Sequence, residues 1–245
     1  MKQRRWIEVA TLVLAASSLA CSFIAGWPGV RGSGKVVEEE RSVSDFTGVA
    51  LSGIGNLYIK VGDEEALRIE AEDNLLPYFE TEVRGTTLEI RTRENVNLLP
   101  LRPVNFYLTV KALDTITVSG SGHAEAPGLQ AEQFFATVSG SGSVKMAGLE
   151  AEALNATISG SGGLDIAGGE VEMQDITLSG SGKYEAKGME SAEADVRLSG
   201  SGSATVRVRD RLDATISGSG SVRYVGDPTV WETVSGSGGV SQIGD

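Results

Sequence analysis

Thr137-Val138-Ser139-Gly140-Ser141-Gly142 returns as Thr157-Ile158-Ser159-Gly160-Ser161-Gly162 and again as Thr177-Leu178-Ser179-Gly180-Ser181-Gly182. The tetrapeptide Ser-Gly-Ser-Gly begins at Ser119, Ser139, Ser159, Ser179, Ser199, Ser217 and Ser235, a period of 20 residues that tightens to 18 at the end. A fixed period of this length marks one supersecondary unit stacked on itself, a solenoid. The residue before each tetrapeptide is apolar every time: Val118, Val138, Ile158, Leu178, Leu198, Ile216 and Val234. The residue before that is polar every time: Thr117, Thr137, Thr157, Thr177, Arg197, Thr215 and Thr233.

A second alternation follows each tetrapeptide, as in Val144-Lys145-Met146, Leu164-Asp165-Ile166, Tyr184-Glu185-Ala186 and Val222-Arg223-Tyr224. Glycines close several of these segments, at Gly128, Gly148, Gly168, Gly188 and Gly226. Period-two alternation bounded by glycine is the pattern of short half-buried strands. Two or three such strands close a coil, and stacked coils pair in parallel about 4.8 Å apart. The expected fold is all-β: a right-handed parallel β-helix, a three-sided solenoid with coils of about 20 residues. The apolar column becomes an internal stack, and the Thr and first Ser become outward ladders.

Glycine in a strand costs roughly 0.5–1 kcal/mol relative to alanine. Two per coil therefore imply a corner, or a backbone approach that a Cβ would obstruct. The expected structural corners are Gly120, Gly122, Gly140, Gly142, Gly160, Gly162, Gly180, Gly182, Gly200, Gly202, Gly218, Gly220, Gly236 and Gly238. The serines beside them can bond neighbouring backbone or serines of adjacent coils.

The chain divides into residues 1–27, a signal or anchor, 28–44, a flexible tether, and 45–245, one β-helix domain. Within that domain 45–118 are irregular first coils and 119–245 carry the repeats. Lys2, Arg4 and Arg5 precede an apolar run from Val9 to Ala20, and Cys21 follows Ser18-Leu19-Ala20. This resembles a bacterial lipoprotein signal with Cys21 as the lipidated residue, although Ser18 stands where leucine is usual. The uncharged stretch from Val9 to Trp27 is also long enough for an uncleaved membrane anchor, and ordinary cleavage is the third reading. All three place the body outside the cytoplasmic membrane, anchored to it or secreted. Gly29, Gly32, Ser33 and Gly34, then Glu38-Glu39-Glu40-Arg41, give the tether its composition.

Residues 45–118 read as strands at Leu57–Val61, Leu67–Ala71 and Phe106–Val110, with a hairpin of Glu80–Val83 and Leu88–Arg91 about residues 84–87. Three stretches in order carry a family resemblance: Ser52-Gly53-Ile54-Gly55-Asn56-Leu57-Tyr58-Ile59, then Glu72-Asp73-Asn74-Leu75-Leu76-Pro77-Tyr78, then Thr115-Ile116-Thr117-Val118 entering the first Ser-Gly-Ser-Gly. From about residue 45 to 240 the chain resembles the bacterial DUF2807 family, also called the putative auto-transporter adhesin, head GIN domain. The resemblance implies a three-sided right-handed β-helix on secreted or lipid-anchored proteins. It implies no catalytic residues, and a role in adhesion.

With 245 residues and a net charge of −12, the chain is poorly suited to nucleic acid or an anionic membrane surface. One cysteine allows no internal disulfide and no multi-cysteine metal site. A serine hydrolase needs a base with an orienting group, and the single imidazole, His123, falls in a column with Ser143, Gly163, Lys183, Ser203, Ser221 and Gly239. Nucleophile-elbow, phosphate-loop and calcium-nonapeptide motifs are absent. Arg207, Arg209, Asp210, Arg211 and Asp213 are the nearest thing to a polysaccharide-lyase cluster, and alternating charge on an exposed strand explains them equally well. Glu132, Glu152 and Glu172 form one acidic column, and Asn155, Asp175, Asp195 and Asp213 another. A hard cation could relieve their repulsion, but splayed, solvated side chains are the ordinary outcome, and no metal or cofactor is assigned.

The expected function is therefore a non-enzymatic cell-envelope β-helix that binds a surface polysaccharide or protein, its membrane attachment supplied by the N-terminus. The alternative is a self-assembling scaffold. No cap is evident beyond Pro228 and Trp231, and an open edge invites a homo-oligomer. An enzyme acting on polysaccharide is the third reading and would depend on Arg209.

Overall fold

The computed structural model describes residues 29–244. Strands of the repeat region are β10 (Thr115–Gly120), β11 (His123–Gly140), β12 (Ser143–Gly160), β13 (Gly163–Ile166), β14 (Gly169–Gly180), β15 (Lys183–Gly200), β16 (Ser203–Gly218), β17 (Ser221–Val225), β18 (Thr229–Gly236) and β19 (Gly239–Gln242). Each pairs in parallel with its counterpart one coil away, so the molecule is a β-solenoid. Val118, Val138, Ile158, Leu178, Leu198, Ile216 and Val234 are successive Cα partners. All but Val234 are buried. The period does this directly, because equal coil lengths put equal positions over one another. Where it tightens to 18, the register shifts between Ala186 and Glu190 and between Ser191 and Glu193.

The interior is filled by complementary sizes. Ala124, Val144, Leu164, Tyr184, Ala204 and Val222 form a second buried column, and Phe134, Leu154, Gln174, Ala194 and Leu212 a third. Within a coil a small residue in one column accompanies a large one in the other: Ala124 with Phe134, Tyr184 with Ala194, Ala204 with Leu212. This keeps the packed volume per coil nearly level. Gln174 is fully buried because Tyr184, one coil on, donates its hydroxyl to Gln174 Oε1 at 2.7 Å, while Gln174 Nε2 donates to Ser191 Oγ at 2.9 Å. Burial pushes the Tyr184 pKa far up, so it remains a neutral donor.

At each corner the two glycines meet different constraints. Gly160 has φ +109°, and a Cβ there would lie 2.6 Å from the Gly140 carbonyl oxygen one coil below. At Gly162 a Cβ would lie 2.4 Å from Gly142 O and 2.6 Å from Val138 Cγ1. Ser161 N and Gly162 N both donate to Gly140 O at 2.9 Å, so the corners are hydrogen-bonded coil to coil.

The N-terminal half departs from the reading of 45–118 as irregular. β3 (Gly48–Gly53) pairs in parallel with β10, Ser52 opposite Ser119 and Gly53 opposite Gly120, and β4 (Asn56–Val61) continues onto β11. Ser52-Gly53-Ile54-Gly55 is thus a further, divergent corner, with Ser121 N donating to Gly53 O and His123 N to Gly55 O. Beneath it, β7 (Thr87–Thr92) and β9 (Asn105–Val110) form another parallel layer. The end is then closed by antiparallel strands: β5 (Ala66–Glu72) on β9, β2 (Val36–Arg41) on β5, and β6 (Phe79–Arg84) on β7. The expected hairpin is present and turns at Gly85-Thr86, with Gly85 at φ +62°.

Residues 28–44, read as a tether, carry β2 and β1 (Val30–Arg31), the latter parallel to β8 (Leu98–Leu99). The reason lies in Glu72, a fully buried carboxylate that the composition of 28–44 gives no hint of. It accepts the backbone N–H of Gly34 at 2.6 Å, Leu101 at 2.8 Å and Arg102 at 3.3 Å. Gly32 is glycine for contact rather than flexibility, since a Cβ there would fall 2.0 Å from Glu72 Oε2. Burial pushes the Glu72 pKa up, but the three N–H groups and the Arg102 charge outweigh it and leave the pKa below the ordinary carboxylate value. Because the folded value lies below the unfolded one, the stabilisation is complete above the unfolded value and is lost as pH falls through the folded value. Glu72→Gln is expected to be less stable than the parent at neutral pH and to lose part of its acid sensitivity, measured by urea unfolding at a series of pH values.

Candidate functional site

Three outward faces result. The first carries the ladders: the threonines and the serines at 52, 119, 139, 159, 179, 199, 217 and 235 lie at outward positions of successive strands. The column of Asn155, Asp175, Asp195 and Asp213 runs beside the threonines. Arg197, which interrupts the threonine column between Thr177 and Thr215, bridges Asp175 at 2.9 Å and Asp195 at 2.6 Å. Burial raises the Asp195 pKa, the Arg197 charge lowers it, and Asp175 and Asp213 raise it further, a net rise. An arginine thus does here what a cation was considered for. No cluster of His, Cys, Asp and Glu among the described residues could hold a metal ion.

The second face bears Glu150, Glu152, Glu170 and Glu172 along one shallow groove. Arg209 lies 3.2 Å from Glu190, 3.7 Å from Glu170 and 3.4 Å from Asp210. Arg211 lies 3.5 Å from Glu193 and 3.4 Å from Asp213, its guanidinium 5.2 Å from the Trp231 ring centroid. Arg207 donates Nε–H to Lys187 O at 2.9 Å. These arginines are engaged with neighbouring groups, the arrangement of a charged face. His123 is exposed, its Nδ1 2.9 Å from Ser143 Oγ.

The third face holds what the sequence reading missed. Tyr58 on β4 and Tyr107 on β9 are Cα partners, and their rings stack at 5.4 Å with 21° between planes. The Arg68 guanidinium lies 4.2 Å from the centroid of Tyr107 and is paired with Glu38. Pairing across β11, β4, β9, β5 and β2 sets Glu125, Tyr58, Tyr107, Arg68 and Glu40 side by side in one row. The row borders an open cleft of about 700 Å³ whose lining includes Lys60, Glu65, Leu67 and Thr109. Tyr58 is 37% exposed although tyrosine usually buries most of its ring. The available signal was two tyrosines in the polar positions of alternating strands, Leu57-Tyr58-Ile59 and Phe106-Tyr107-Leu108. Their juxtaposition depends on an insertion that no local pattern measures.

Among the described residues no helix is long and apolar enough to cross a membrane, and Cys21 with the rest of the signal or anchor lies outside them. No curated protein matches the chain. Among solved structures, one described as a "putative adhesin" from Bacteroides fragilis NCTC 9343 is 22% identical with a TM-score of 0.80, over 88% of this chain and 100% of that one. A "putative lipid binding protein" from Parabacteroides distasonis ATCC 8503 is 25% identical with a TM-score of 0.70, over 87% and 99%. A "putative adhesin" from Parabacteroides merdae ATCC 43184 is 23% identical with a TM-score of 0.66, over 88% and 99%. The divergent first corner at Gly53 and the repeated ones from Gly120 to Gly220 fall inside residues 45–228, the span matched by the model of DUF2807, "Putative auto-transporter adhesin, head GIN domain", and the chain belongs to that family.

Proposed function

We propose that the protein is a non-enzymatic module of the bacterial envelope surface that binds polysaccharide at the Tyr58–Tyr107 platform, with Cys21 as its membrane attachment. The observation that carries this is the stacked, partly exposed tyrosine pair flanked by Arg68, Glu40 and Glu125. A sugar ring has an apolar C–H face and a hydroxyl rim. Aromatic rings cover the first, and charged side chains in the same row hydrogen-bond the second. Membership of a family described as adhesins supports a binding role, and the long polar ladders allow a polymer to make many weak contacts at once. The engaged state of Arg209 and Arg211 supports binding over cleavage.

The test is a glycan array probed with the full chain in detergent, followed by titration of the strongest glycan. Tyr107→Ala is expected to weaken binding roughly tenfold, about 1.4 kcal/mol, with no change in coil-to-coil pairing. Absence of any glycan above background, undiminished binding by Tyr107→Ala, or release of cleaved sugar would each overturn the proposal.

A further inference from the structure

The two ends of the solenoid are built differently. At the N-terminal end the outermost strands β2 and β6 are charged, with Glu38, Glu39, Glu40 and Arg41 on one and Glu80, Glu82 and Arg84 on the other. At the C-terminal end β18 pairs with β16 and β19 with β17, and among the described residues nothing pairs with their outer edges. Columns that are sealed in every earlier coil surface here. Val234 is 39% exposed where Ile216 beneath it is 1%, and Val230 is half-buried where Leu212 is fully buried. From Thr229 to Ile243 the single charged residue is Glu232, in a chain of net charge −12.

An exposed, nearly uncharged β edge is a template for another strand, and charged edges are how proteins prevent such pairing. Among the described residues such pairing is blocked at the N-terminal end and open at the C-terminal one. We infer that the C-terminal coil is a self-recognition surface, on which β18 of one copy pairs antiparallel with β18 of a second about a two-fold axis. Two acidic chains meet here with little repulsion because the charge lies elsewhere. A two-fold contact closes on itself, whereas head-to-tail stacking would run on without limit and would set this edge against the glutamates of β2 and β6.

A consequence follows that rests on the surface-attachment reading above. The chain docks at Val30–Arg31, at the end opposite to β18. The column from Ile90 through Leu51 and Val118 to Val234 makes each body on the order of 40 Å tall at about 4.8 Å per coil. The eight Cα-to-Cα steps from Cys21 to Gly29 reach at most about 28 Å. With the solenoid axis upright on the membrane, a tail-to-tail pair holds its second anchor about 80 Å from the first bilayer, beyond that linker's reach, and it joins two facing membranes.

Sedimentation equilibrium of the full chain in detergent micelles is expected to show a reversible dimer with Kd on the order of 10 µM, given the small contact. Amide exchange should slow across 229–242 as protein concentration rises, with 36–41 and 79–84 unchanged. Val230→Lys combined with Val234→Lys should weaken association at least tenfold while keeping glycan binding. Phosphatidylcholine vesicles carrying the full chain should cluster, and those carrying the double variant should not. A monomer at every concentration, concentration-independent exchange across 229–242, or equal dimerisation by the folded double variant overturns the self-recognition surface. A dimer in micelles without vesicle clustering overturns only the joining of two membranes, and loss of glycan binding alone bears on the tyrosine platform instead.

Discussion

Gly160→Ala is expected to destabilise the protein by on the order of 3 kcal/mol, against a change within about 1 kcal/mol for Gly128→Ala. Both glycines belong to columns that recur at the 20-residue period, Gly128 over Gly148 and Gly160 over Gly140, and look alike in composition. At Gly160 the backbone sits at φ +109°, which strains any L side chain, and the added Cβ would press on the Gly140 carbonyl oxygen. That oxygen also accepts from Ser161 N and Gly162 N, so it cannot retreat without breaking the corner. At Gly128 nothing lies within 4 Å of an added Cβ. Urea unfolding followed by circular dichroism separates the two. Equal effects at both positions would mean that the coils are not stacked as closely as the Gly140–Gly160 contact requires. Because each coil touches only its neighbours, limited proteolysis of Gly160→Ala should cut first near that corner.

Phe134→Ala carries the second large effect, about 3–5 kcal/mol. Phe134 is fully buried, the coil it belongs to supplies only Ala124 in the second column, and β11, which carries both, is pinned by pairing to β12. Nothing nearby can expand into the space, so the cavity persists. Phe134→Leu should cost only about 1 kcal/mol, since Leu154 already occupies the same column one coil further. A melting temperature for Phe134→Ala close to that of the parent would show that the columns do not share one packed interior.

The legible part of this protein was the part written in repeats. Val138, Ile158 and Leu178 could be placed over one another from spacing alone, because a solenoid converts sequence period into spatial stacking without any long-range choice. The divergent corner at Ser52-Gly53-Ile54-Gly55 could not be placed so, as residues 62–114 separate it from the coil it stacks on. Composition misled at 28–44, where glycine and charge suggest a tether. Gly32 instead makes room for Glu72, and Val36–Arg41, whose exposure alternates along the strand, forms an edge strand on β5. The acidic column was visible, but its neutralisation by Arg197 required knowing that Asp175 and Asp195 lie on either side of one guanidinium.

By itself the amino-acid order determined the coil length, the inward columns, the outward ladders and the family, all consequences of periodicity that each coil expresses locally. Tertiary structure alone decided the tyrosine platform and the contrast between a charged, closed end and a neutral, open one. Tyr58 and Tyr107 become neighbours only when β9 slides beneath β4, and edges exist only once every other strand has found its partner.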